Sequence, residues 1–227
     1  MLVVRWYERT DHSPEVVARW LAAAREHLPE AVPRRYGDTE PLRGRFDQAG
    51  EPGLAHAYAQ ADTLLLLSGT PPVFHASLAA AGRFRGPVGV HSLQAELDPA
   101  DERVRRFALA LTHPGTIYVS ASIAGGMVLA GRTLYGPPEN PEEPYLAPQG
   151  NWLGLPPSPP IWCWFGPGYA RLVARHVTTE PVAAGRWFTG GPWVPEPLRA
   201  RLDEVDPARR PAPRMPREQR RSPLRFW

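Results

Sequence analysis

Lysine is absent from this chain: all 26 basic residues are arginine, set against 23 acidic ones for a formal net charge of +3. Arginine is the better bidentate partner for carboxylate and phosphate. A chain that never uses lysine, however, most simply reflects a GC-rich coding sequence, so residue type alone marks no site. Cysteine occurs once, which excludes an internal disulfide framework and any zinc module built from several cysteines. Long hydrophobic runs are missing too, since "TLLLL" at 63–67 falls far short of a membrane span. The opening "MLVVRWYERTDHSPE" has no cationic stretch leading into an apolar run, so the protein is expected to be cytoplasmic, with no membrane partner. The sequence contains no GxGxxG, P-loop, HExxH or GxSxG, and no internal repeat.

What is present is proline, at 29 of 227 residues, roughly two and a half times the ~5% background. Charge is unevenly distributed. Residues 207–227, "PARRPAPRMPREQRRSPLRFW", hold seven Arg and one Glu (+6), while the remaining 206 carry 19 Arg against 22 acidic side chains (−3). The expected organisation is a single domain over 1–206 followed by an Arg/Pro-rich tail, 207–227, which cannot bury a core and is expected to be disordered.

Periodicity places the elements. "LVVRWYE" at 2–8 reads as a strand, rich in β-branched and aromatic residues. A helix follows with Ser13 as N-cap, Pro14 in its first turn and a stripe of Val16, Val17, Trp20, Leu21, Ala24 and Leu28. A short helix is expected around 52–61, then strands at 63–67, 73–80 and 87–97. Asp98-Pro99 opens a second capped helix that buries Val104, Phe107, Ala108 and Leu111. A strand at 115–126 precedes a strand or loop at 127–135, and the nine prolines of 136–160 read as an excursion over the surface. A third helix is expected from Pro167, a last strand within 186–193 and a short helix over 195–205. Helices and strands that mix without strict alternation predict an α+β fold, a mainly antiparallel mixed sheet covered by two or three helices.

Four groups of residues are candidates for function. Cys163, between Trp162 and Trp164 and just before a helix, sits where a thiol can be activated; a lone free cysteine is far more often a small buried hydrophobe. His75 and His91, each near a serine (Ser77 and Ser92), with Glu96 on the face of Ser92, allow a Ser/His/Glu set. Polar residues alternating along a half-exposed strand give the same pattern. The loop 33–46 brackets Asp38 and Glu40 with Arg34, Arg35, Arg43 and Arg45, fit for an anionic ligand or for local pairing. The basic tail is the one feature that points to nucleic acid. The seven histidines, at 12, 27, 56, 75, 91, 113 and 176, show no metal-ligand spacing. No metal and no cofactor is expected.

Three stretches occur together in a recognisable order: "RYGDTEPLRGRF" at 35–46, "GTPPVF" at 69–74 and "WLGLPPSPPIWCWFGPGYARLV" at 152–173. In this the chain resembles immunity proteins of bacterial polymorphic-toxin systems, most nearly the immunity protein 52 family. The matching positions are Arg35, Tyr36, Gly37, Glu40 and Pro41, then Gly154, Leu155, Pro156, Trp164, Phe165, Gly166, Pro167 and Tyr169. The resemblance covers about 40 of the 227 residues. It implies an α+β protein without catalysis that binds and blocks a cognate toxin. Arg35, Tyr36, Glu40, Trp152, Trp162, Trp164 and Tyr169 are then the expected partner-binding residues, since Trp, Tyr and Arg dominate interface hot spots. The alternative for the same aromatic residues is core. The alternative for the whole protein is a small hydrolase- or transferase-like enzyme using His75, His91 and Ser92, or Cys163.

Overall fold

The computed structural model describes residues 1–9, 15–80, 86–124, 128–130, 133–135, 146–147, 150, 152, 154–156 and 159–193. Ser13, Pro14, the helix expected over 195–205 and the tail 207–227 lie outside them. The alternating first strand, β1 (Leu2–Arg9), serves two faces, because successive side chains of a strand point to opposite sides. Leu2, Val4 and Trp6 enter one core and Tyr7 another.

Ten strands form one antiparallel sheet around β1. In spatial order they run β11 (Glu180–Val182), β12 (Gly185–Phe188), β10 (Trp162–Phe165), β7 (Thr116–Ile123), β1, β6 (Val88–Ala95), β5 (Val73–Ala79), β4 (Leu64–Ser68), β2 (Arg35–Gly37) and β3 (Gly44–Arg45). A separate ribbon pairs β8 (Val128–Ala130) with β9 (Thr133–Tyr135). The fold is α+β.

Three helices, α1 (Glu15–His27), α2 (Phe46–Gln60) and α3 (Glu102–Ala110), cover one face. The stripes read from sequence are the buried ones: Val16, Val17, Trp20, Leu21 and Ala24 on α1, and Val104, Phe107 and Ala108 on α3. Trp20 meets Trp6 and Phe107 edge-on, at centroid distances of 6.0 and 5.0 Å, an arrangement favoured by the ring quadrupoles. Asp101 caps α3 by accepting the Arg103 N–H at 2.9 Å. Helix α2 begins at Phe46, nearly two turns earlier than its pattern indicates, and breaks at Gly50, whose φ of 59° and ψ of −161° suit glycine alone.

The opposite face has its own core, under α4 (Pro167–Val173). Residues 136–160 read as a surface excursion, yet Leu146, Ala147 and Trp152, all of them described, are buried in this second core. The sheet near β7 and β10 is apolar on that side and needs a cover, and these residues provide part of it. Strands β2, β3, β10 and β11 are four residues or shorter. Their sequence pattern did not announce them.

Candidate functional site

The aromatic segment resolves first. Trp162 and Trp164 point into the helix-side core, and Cys163 and Phe165 into the second. "WCWF" is therefore a strand buried on both sides, and such strands read as continuous apolar runs. Its indoles hold loops in place: the Trp162 N–H donates to the Pro99 carbonyl at 2.9 Å and the Trp164 N–H to Val182 at 3.0 Å. The Trp152 N–H donates to the Tyr169 hydroxyl at 2.7 Å, and burial pushes that phenol up to about 12 despite the bond. None of Trp152, Trp162, Trp164 or Tyr169 is more than 8% exposed. Expected as surface anchors, they are placed in the cores of this chain instead.

The Ser/His/Glu set is split by the sheet. His91 and Ser92 are adjacent on β6 and so project to opposite faces. Ser92 shares a 2.8 Å hydroxyl contact with Ser77, and His75 and Glu96 are exposed. Cys163 is 0% exposed and offers no surface to a substrate. His75, His91, Ser92 and Cys163 do not form one site.

His91 instead belongs to a cluster that pattern reading missed. Along β1 the inward positions run Leu2, Val4, Trp6 and then Glu8, a carboxylate on an apolar face. A register shift against β7 at Tyr7/Glu8 re-aims this end of the strand. Glu8 Oε1 accepts from His91 Nε2 at 2.6 Å and from the Arg19 guanidinium at 3.3 Å; Oε2 accepts from His113 Nε2 at 2.7 Å. The other ring nitrogens are also engaged. His91 Nδ1 accepts the Ala79 N–H at 2.9 Å and His113 Nδ1 the Gly115 N–H at 3.2 Å, which assigns both rings the Nε2–H tautomer. Burial pushes the Glu8 carboxyl up. The His91 ring and the hydrogen bonds from His113 and His91 outweigh that and hold it well below the usual carboxylate range.

No imidazole nitrogen in this cluster is left for a substrate. The group ties β1, β6, α1 and the turn before β7 together, and its chemistry is that of a clamp. Among the described residues no group of three His, Cys, Asp or Glu side chains is arranged to hold a metal ion. No described helix is long and apolar enough to cross a membrane.

The open feature lies at the β3 edge. Gly44 passes beneath the Tyr36 ring, where an added Cβ would collide with it, and the loop between β2 and β3 turns back over α2. A pocket of about 330 Å³ opens there, lined among others by Tyr36, Asp38, Thr39, Arg43, His56 and Gln60. Arg35 and Glu40 are exposed beside it. Arg45 is held by Asp47 at 2.8 and 3.3 Å, which draws the Asp47 carboxyl down, and Arg35 reaches the Leu42 carbonyl at 3.4 Å. Of the expected loop residues Arg35, Tyr36 and Glu40, Tyr36 turns inward and lines the pocket, while Arg35 and Glu40 are exposed and are not part of its lining. His56 and Gln60, contributed by α2, were not singled out from sequence; nothing in the local pattern connects them to the loop. No family model matches the chain, and no curated protein and no solved structure matches it.

Proposed function

We propose that this chain is a non-enzymatic protein-binding module, an immunity protein that neutralises a cognate toxin, and that it meets its partner through the β2–β3 edge. The observation that carries this reading is the placement of uncommitted charge. Arg34 just before β2, Arg35 on β2 and Arg43 in the loop before β3 are exposed at this end of an open sheet, and the side chains of Arg34 and Arg43 form no hydrogen bond or ion pair among the described residues. An edge strand offers unpaired main-chain groups to an added strand, and the arginines suit an acidic patch on the partner. Within the aromatic segment, Trp162–Phe165 contributes as strand β10 of the sheet that presents this edge.

The test is growth of cells expressing the immediately neighbouring gene, with and without this protein. Toxicity relieved by the wild type, and not by an Arg35→Glu/Arg43→Glu variant of unchanged melting temperature, is the expected result. A harmless neighbour, or rescue that survives the double reversal, refutes the reading.

A further inference from the structure

The edge pocket has a lining that its role as part of a contact surface does not account for. Tyr36 is only 7% exposed, and its hydroxyl, which opens on the pocket, makes no hydrogen bond among the described residues. The ring is held in place, since a Cβ on Gly53 would lie 2.9 Å from this hydroxyl and one on Gly44 would collide with the ring itself. A fixed donor therefore lines the pocket without an acceptor.

Two opposite charges share the same lining and leave each other alone. Among the described residues the Arg43 side chain makes no hydrogen bond or ion pair, and the one hydrogen bond of the Asp38 side chain is from the Thr39 hydroxyl at 3.4 Å. His56, Ala57, Gln60 and Ala61 bring the last turn of α2 to the wall, and a helix C-terminus carries about half a negative charge. A simple anion is opposed by Asp38 and the helix end. A simple cation is opposed by Arg43. A ligand bearing both charges satisfies both, with its carboxylate on the arginine fork and its ammonium toward Asp38. Leu65, Ala57 and Ala61 supply an apolar part of the wall. The volume of about 330 Å³ is near the low end of the roughly 300–1,000 Å³ of small-molecule sites.

We propose that this pocket binds a small zwitterion, an α-amino acid with an apolar side chain. The test is calorimetric titration of the intact chain with L-leucine, with 4-methylpentanoate (no ammonium) and with 3-methylbutylamine (no carboxylate). Saturable leucine binding is expected with a Kd of about 1 mM or tighter. Loss of either charge on the ligand, or Arg43→Gln or Asp38→Asn in the protein, should weaken it about tenfold or more. Arg106→Gln, on α3 and outside the pocket, should leave it unchanged. Failure of leucine to saturate at that strength, equal binding of a one-charge analogue, or indifference to both pocket variants overturns the proposal. No partner protein is present in the titration, so its outcome is separate from that of the toxin-neutralisation test.

Discussion

Replacing Glu8 with glutamine tests the clamp at its centre. The carboxylate accepts three N–H donors, from His91, His113 and Arg19. Glutamine keeps one acceptor oxygen and sets an NH₂ group against the donor on the other side. Neither imidazole can switch tautomer to accommodate it, because main-chain N–H groups of Ala79 and Gly115 occupy both Nδ1 atoms. One buried donor left without an acceptor costs about 1–3 kcal/mol, and a hydrogen bond to a charged group contributes about 1.5–3. Together they place the loss at roughly 3–5 kcal/mol, the range seen when one partner of a buried pair is removed. For a chain of this size that is a fall in Tm of roughly 6–20 °C. Urea unfolding at pH 7 measures it directly, and a loss below about 1 kcal/mol refutes the clamp.

The pH dependence gives an independent signature. The folded state depresses the Glu8 pKa, so the unfolded chain binds the proton more readily and stability falls with pH in that range. The Glu8 contribution is complete above the group's ordinary value of about 4.5 and is lost progressively below it. The stability gap between wild type and Glu8→Gln should therefore shrink as pH drops below 4.5. A gap that stays constant there contradicts the assignment.

Two further expectations concern the "WCWF" strand. Trp164→Ala removes a side chain that is 1% exposed together with its hydrogen bond to the Val182 carbonyl, so a loss of about 3–5 kcal/mol is expected in denaturant unfolding. A variant of wild-type stability that had merely lost partner binding would return Trp164 to the surface. Cys163 is 0% exposed, so a thiol reagent such as dithionitrobenzoate should modify the native protein only at its rate of unfolding; immediate reaction would contradict its burial.

Helices α1 and α3 were legible because a stripe at 3.6-residue spacing has one simple physical solution, burial against a sheet. Cap chemistry placed the start of α3 less closely: Asp98-Pro99 was expected to open it, and Asp101 caps it three residues later. The sequence "WCWF" was ambiguous for the opposite reason. Apolar residues at every position carry no periodicity, so the same four letters serve a strand buried on both faces or an exposed aromatic patch. Only the neighbours β7 and β12, with a cover on each side, settled which. Glu8 was half legible: its alternation with Leu2, Val4 and Trp6 pointed it inward, but its partners come from 83 and 105 residues away.

The sequence by itself determined the class of fold, the faces of the main helices and the segment 33–46 as a place of concentrated charge, because these rest on local spacing and composition. Tertiary structure alone decided that His91 and His113 converge on Glu8, and that Tyr36 turns inward while Arg35 and Glu40 remain outside. It also brought the end of α2 against that loop to make a pocket. Which side of a sheet a residue faces depends on strand register, and which segments meet depends on the path of the whole chain. Neither is written in the residues adjacent to the site.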